Sequence, residues 1–160
     1  MGSYDVAQIC MNGHVITSMA GLYPENKKDF CIQCGEKTIM NCQNCDSPIK
    51  GYHDVPGVIS FSEYVKPKYC ENCGKPYPWT ILLSDAAKEL IELTDALNQE
   101  EKSDLQNSID DLVCESPTTI VAQAKYKKYM GKVGGEIAKG LKDILVEVVS
   151  ETVKKAIWGL

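Results

Sequence analysis

Cys31-Ile32-Gln33-Cys34-Gly35-Glu36-Lys37-Thr38-Ile39-Met40-Asn41-Cys42-Gln43-Asn44-Cys45-Asp46 decides the fold of this chain. It carries two Cys-x2-Cys pairs, each followed at once by a residue that tolerates the left-handed backbone, Gly35 after Cys34 and Asp46 after Cys45. A tight turn of this kind presents two sulfurs to one ion, and the residue that closes it needs a positive φ. Working outward, the same device recurs as Cys70-x2-Cys73 followed by Gly74, and as Cys10-x3-His14 with Gly13 inside the turn. Zinc accepts thiolate and imidazole donors in fours, so Cys10, His14, Cys31, Cys34, Cys42, Cys45, Cys70 and Cys73 predict two closed structural Zn²⁺ sites. Consecutive pairing closes loops of 16 and 24 residues. A cross-brace joining the first pair to the third and the second to the fourth closes longer ones at greater entropic cost. Tandem zinc ribbons are therefore expected, with the cross-brace as the alternative.

Other readings of the cysteines fit less well. No secretory signal precedes Tyr4-Asp5-Val6, and a disulfide framework has no use for a histidine in a ligand position. A thioredoxin-like redox pair lies within a βαβ unit and does not recur three times. Reduced thiolates point to a cytoplasmic protein. Cys114, beside Leu112 and Val113, lies outside the pairs and is expected to be a small buried apolar residue. Met1-Gly2-Ser3 opens like a myristoylation signal, but Val6 stands where Ser or Thr is required.

The texture changes near Trp79, dividing the chain into a double-ribbon domain over 1–79 and a helical region over 80–160. A ribbon half of this size is close to the limit at which an apolar core alone suffices, which gives metal a structural purpose. Short β-prone runs, Asp5–Ile9, His14–Thr17, Lys37–Met40, Ile49–Tyr52 and Val58–Phe61, predict hairpins around the ligand turns. About four helices follow. Ser84-Asp85 opens the first. Asn98 and Glu101 have the spacing of a capping box for the second. Ser116-Pro117 precedes the third, which ends around Gly131 to Gly135. The fourth is expected to run from Gly135 to about Trp158, with a wide apolar stripe from Ile137 to Ile157. The fold class is thus α+β.

Charge narrows the functions available. The net charge is −5, all 17 basic residues are lysine, and the first 79 residues carry seven lysines against eight acids. Nucleic-acid-binding modules show a basic footprint and use arginine for bidentate contacts, so a nucleic-acid-binding ribbon is the second reading. Acids dominate Asn98 to Glu115 and lysines dominate Lys125 to Lys142, as expected of neighbouring helices that complement one another. The final helix balances Lys139, Lys142, Lys154 and Lys155 with Glu136, Asp143, Glu147 and Glu151, which disfavours a membrane surface. Its apolar stripe instead predicts self-association or a protein partner.

No enzyme is expected. Four protein ligands per zinc leave no open position for water, His14 and His53 are not followed by the acid of H-x-E, and no nucleophile elbow, phosphate loop or HExxH occurs. His53 reads as a surface histidine beside Asp54. The expected role is a non-enzymatic interaction or scaffold module built on zinc.

Three stretches carry a family resemblance: Tyr4-Asp5-Val6-Ala7-Gln8-Ile9-Cys10-Met11-Asn12-Gly13-His14-Val15-Ile16, Pro48-Ile49-Lys50-Gly51-Tyr52-His53-Asp54-Val55-Pro56-Gly57-Val58, and Tyr69-Cys70-Glu71-Asn72-Cys73-Gly74-Lys75-Pro76-Tyr77-Pro78-Trp79-Thr80. Together they resemble an uncharacterised bacterial domain-of-unknown-function family. The resemblance is strongest up to Trp79 and includes all eight ligand positions; beyond that point it rests on the general character of the helices. It implies a bacterial source, a zinc-ribbon-like N-terminal half and a helical remainder, and it supplies no activity.

Overall fold

Residues 2–160 are described by a computed structural model. Among the described residues, five short strands precede five α-helices, giving the α+β architecture. The chain divides into two compact units, one ending at Ile81 and the other beginning at Leu82.

In the first unit, β1 (Ser3–Val6) pairs antiparallel with β5 (Lys50–Asp54), and β2 (Gln8–Cys10) lies between β3 (Val15–Thr17) and β4 (Thr38–Ile39). Ala7 separates β1 from β2, so one extended stretch serves both sheets; its N–H donates to the Ile49 carbonyl at 2.9 Å. β2, β3 and β4 are short because ligand turns adjoin them. A small apolar cluster forms where they meet: Ala7, Ile9, Ile39, Ile49, Tyr77 and Trp79, together with Cys42 and Cys70. Gln8 is buried among them and fully used. Its amide donates to the Lys28 carbonyl and to Thr38 Oγ1, both at 2.8 Å, and accepts from the Lys28 N–H at 3.0 Å. A buried amide satisfied in this way fixes the segment before the second ligand turn.

The run Val58–Phe61, expected as a strand, is an exposed loop. Ile59 is 82% and Phe61 94% exposed. The loop is held at its ends rather than by a ladder, through Tyr52 Oη donating to the Ser60 carbonyl at 3.1 Å and Tyr64 Oη donating to the Lys50 carbonyl at 2.6 Å. β-branched and aromatic composition does not make a strand without a neighbouring edge to pair with.

The helices depart from expectation in three places. α1 (Pro78–Glu92) begins at Pro78, six residues before Ser84, because proline suits the first helical position, where no N–H bond is required. α2 (Gln99–Val113) begins as expected: Asn98 Oδ1 accepts from the Glu101 N–H at 2.9 Å while Glu101 accepts from the Asn98 N–H at 3.1 Å. α3 (Thr119–Met130) starts three residues after Ser116, whose N–H donates to Thr119 Oγ1 at 2.8 Å in the turn before it.

The last expected helix is two, α4 (Gly135–Leu145) and α5 (Glu151–Trp158). The backbone tightens at Val148, whose N–H reaches only three residues back, to the Leu145 carbonyl at 3.0 Å. Ser150 then takes an extended conformation and caps α5, its Oγ accepting from the Val153 N–H at 3.3 Å. The run Val146, Val148 and Val149 is stiff and β-branched, which favours the break. Val148 and Val149, within the break, are both buried.

The apolar stripe of α4 and α5 turns inward. Leu141, Leu145, Val148, Val149 and Val153 join Ile91, Leu105, Ile109, Leu112 and Tyr126 in the core of the second unit. The opposite charges of α2 and α3 meet there too: Asp104 accepts from Lys125 Nζ at 2.7 Å and from Tyr129 Oη at 2.6 Å, and Glu101 pairs with Lys132. Cys114, expected buried, is exposed. α2 buries its Leu105, Ser108, Ile109, Leu112 and Val113 face, and the next residue, at the helix end, falls outside it.

Candidate metal centres

Three of the four knuckles share one backbone design. In the Cys31, Cys42 and Cys70 turns, the N–H of the first cysteine donates to the carbonyl five residues on (Glu36, Ser47, Lys75) at 2.8 to 2.9 Å. The N–H of the residue after the second cysteine (Gly35, Asp46, Gly74) donates back to the first cysteine's carbonyl at 2.8 to 2.9 Å. Those three closing residues have φ of 75°, 63° and 75°. The residues flanking each turn then bridge antiparallel, Phe30 with Lys37, Asn41 with Pro48 and Tyr69 with Pro76. The first turn is the variant: Gly13, at φ 94°, donates its N–H to the Cys10 carbonyl at 2.9 Å, and the Cys10 N–H returns to the His14 carbonyl at 2.9 Å. The left-handed residues sit where the sequence placed them.

The knuckles meet in pairs. β2 carries Cys10 at its end and pairs with β4, which opposes Cys10 to Thr38, just past the second knuckle. This brings Cys10, His14, Cys31 and Cys34 together, and Cys42, Cys45, Cys70 and Cys73 form the second group; in each, all donor atoms lie within 4.8 Å of one another. The consecutive arrangement is therefore the one adopted, and the cross-brace is not. His53 belongs to neither group: it stacks on Tyr4 with ring centroids 4.4 Å apart.

The separations fit zinc. A tetrahedron with Zn–S near 2.3 Å has an S···S edge of about 3.8 Å, and one with Zn–N near 2.05 Å an N···S edge of about 3.6 Å. Cys10 and Cys34 sulfurs are 3.7 Å apart, Cys42 and Cys73 3.7 Å, and Cys45 and Cys70 3.6 Å. His14 Nδ1 lies 3.4 Å from the Cys10 sulfur and 3.6 Å from that of Cys31. A disulfide requires about 2.05 Å, so these are spacings of co-ligands rather than of bonded sulfurs.

The surroundings favour thiolate. Backbone N–H groups point at the first sulfur of a knuckle, His14 to Cys10 at 3.2 Å, Gln33 to Cys31 at 3.4 Å and Asn44 to Cys42 at 3.4 Å. The Cys34 thiol is pulled down to about 6, chiefly by the Glu36 N–H and then by the Asn12 side chain. Cys45 also falls to about 6, through the Ser47 and Asn72 side chains. Cys10 moves the other way, raised first by burial. Cys70 is lowered as well, and Cys42 is raised like Cys10; the lowered thiols ease the release of protons that metal binding demands. Asn12 and Asn72 escaped the sequence reading. Asn72 donates Nδ2 to the Cys45 sulfur at 3.5 Å across the second group, and its only sequence signal is an amide inside a knuckle.

An aromatic wall backs the second group. Tyr77 and Trp79 stack at 4.8 Å, both nearly fully buried, and the indole N–H donates to the Pro67 carbonyl at 2.9 Å. The same tryptophan touches the first knuckle: a Cβ on Gly13 would come within 2.7 Å of Trp79 Cβ, and Lys66 Nζ donates to the Gly13 carbonyl at 2.6 Å. One side chain thus supports both ligand groups. Among the described residues, no helix is long and apolar enough to cross a membrane.

No curated protein and no solved structure matches the chain. The model of the family described as "Uncharacterized protein conserved in bacteria (DUF2321)" matches residues 3–157, nearly the full length, and the chain belongs to that family.

Proposed function

We propose that this chain is a non-enzymatic protein-interaction module whose N-terminal unit is built on two structural Zn²⁺ ions. The observation that carries the reading is the pair of four-donor groups with tetrahedral edge lengths. Four protein ligands complete a zinc tetrahedron, and a completed tetrahedron holds structure rather than activating water. Once bound, the metal contributes cross-linking of two knuckles per ion.

The surface supports a protein partner over nucleic acid. The first unit is near neutral and lacks arginine, whereas a phosphate-binding surface depends on concentrated positive charge. One loop instead carries four exposed apolar side chains, Val58, Ile59, Phe61 and Val65. Solvated apolar clusters of this kind are typical of contact surfaces. The C-terminal stripe, the other candidate for contact, is largely occupied by packing within its own unit.

Paired measurements on the zinc-loaded full chain test this. Binding to single- and double-stranded DNA and RNA at physiological salt is expected to be weaker than micromolar. Affinity capture from a bacterial lysate is expected to retain a defined protein that the Ile59→Ser/Phe61→Ser variant loses. A salt-dependent micromolar nucleic-acid complex, weakened by changing Lys66 and Lys68 together, would instead favour a nucleic-acid-binding ribbon.

A further inference from the structure

The two ligand groups offer nearly the same donors in unlike surroundings. All four cysteines of the second group belong to, or pack against, the apolar cluster with Tyr77 and Trp79; Cys42 and Cys70 are buried, and Cys45 and Cys73 half-buried. Asn72 shields the Cys45 sulfur from one side, and Glu71, at the tip of the same knuckle, is ion-paired to Lys50 at 2.7 Å. In the first group the Asn12 side chain bonds Cys34 in the same way, but the burial is less even. Cys10 and Cys31 are buried, but Cys34 is exposed, and residues 32–37 around it are exposed without exception. Ile32, beside the ligands, is 92% exposed.

We propose that Cys34 is a modification site, the one metal-bound thiolate open to electrophiles and peroxide, so that the first group is an oxidisable centre and the second a permanent one. The proposal rests on the zinc reading above. An exposed thiolate is the nucleophile that such reagents meet, whereas buried sulfurs lie out of their reach. Cys10 is the resolving partner, its sulfur 3.7 Å away. The Cys34 thiolate attacks one peroxide oxygen, breaking the O–O bond to give a sulfenic acid and hydroxide. The Cys10 thiolate then attacks that sulfur and displaces a second hydroxide. Two protons from solvent convert both hydroxides to water, and the sulfur pair has given two electrons to the peroxide. Forming the bond closes the gap by about 1.7 Å, to a normal disulfide length. The first group keeps only His14 and Cys31 and loses its hold on the metal. The knuckle that moves is the exposed one, so the second group and its aromatic wall stay in place.

The test uses zinc-loaded full chain carrying Cys114→Ser, which removes the other exposed thiol. Zinc content is measured first; fewer than two ions per chain overturns the zinc reading and the proposal with it. With two ions present, pulsed alkylation with N-ethylmaleimide is mapped by peptide mass spectrometry. Cys34 is expected to react roughly tenfold faster or more than Cys42, Cys45, Cys70 or Cys73, as exposure dictates. Hydrogen peroxide is expected to release one zinc to a chromogenic chelator, with a Cys10–Cys34 disulfide and the second ion retained. Equal alkylation rates in the two groups, release of both ions together, or a disulfide elsewhere overturns the proposal while leaving two-site zinc binding intact.

Discussion

Replacing Trp79 with alanine is the sharpest perturbation of the first unit, because one side chain supports both ligand groups. Trp79 is 1% exposed, stacked on Tyr77, bonded through its indole N–H to Pro67, and in contact distance of Gly13. A tryptophan of this kind buries roughly 150–250 Å², which at about 25 cal/mol per Å² corresponds to ~4–6 kcal/mol. Large-to-small aromatic substitutions in cores cost about 3–5 kcal/mol, and leaving the Pro67 carbonyl unpaired adds about 1 kcal/mol. An apolar core in a unit this small supplies only about 3–5 kcal/mol. Trp79→Ala therefore removes about as much as the core provides, and leaves folding of the ribbons dependent on metal. Zinc affinity measured by competition with a chromogenic chelator should fall by about 10³–10⁴-fold, at 1.4 kcal/mol per factor of ten. Trp79→Phe keeps the stack and should lose about tenfold, the worth of the indole hydrogen bond. The chain has two tryptophans, so Trp158 remains as a fluorescent reporter of the second unit, which should unfold as in wild type. Unchanged zinc affinity in Trp79→Ala, or loss of the Trp158 signal together with it, would refute the reasoning.

The knuckle glycines separate conformational strain from crowding. Gly35→Ala meets open space and bears only the left-handed backbone cost of about 1–2 kcal/mol. Gly13→Ala adds collision with Trp79 Cβ, so chelator competition should show a distinctly larger loss of zinc; equal losses would contradict the packing described. In the second unit, the Asp104–Tyr129–Lys125 cluster should shape stability at both ends of the pH range. Lys125, and then Tyr129, hold the Asp104 carboxyl below its usual value, so its contribution is present above about pH 4 and is lost as pH falls through the depressed value. The Asp104 hydrogen bond, with burial, pushes Tyr129 up to about 12, so that contribution is present below about pH 10 and is lost as pH rises toward 12. Urea unfolding followed through Trp158 should show Asp104→Asn destabilised near neutrality, with both limbs flattened; a profile parallel to wild type would refute the coupling.

Legibility in the sequence followed how local each interaction is. A knuckle is complete within six residues, so its ligands, its positive-φ residue and its closing turn could all be read from Cys31 to Glu36 or Cys70 to Lys75 alone. The Asn98–Glu101 capping box is equally local, and it formed as expected. The pairing of ligand turns needed one non-local argument, loop entropy, and that favoured the arrangement found. What could not be read depends on partners distant in the chain. Val58–Phe61 has strand composition but no edge to join, and composition does not report edges. The break between α4 and α5 was hidden because apolar residues continue through it; Ser150 before Val153 was the local signal, outweighed by the periodicity of Leu141, Leu145 and Val148. Pro78 marked the true start of α1, but Trp79-Thr80-Ile81 reads equally well as an extended segment. Asn12 and Asn72 join the site only once knuckles remote in sequence face each other.

Two four-donor groups, each holding its own zinc, are the centre of this account, and native mass spectrometry of full chain purified without chelator tests them most directly. The predicted result is two zinc ions per chain in wild type, one in Cys73→Ser with the Cys10–His14–Cys31–Cys34 ion retained, and one in Cys31→Ser with the Cys42–Cys45–Cys70–Cys73 ion retained. One ion or none in wild type, or loss of both ions from either single substitution, would contradict it.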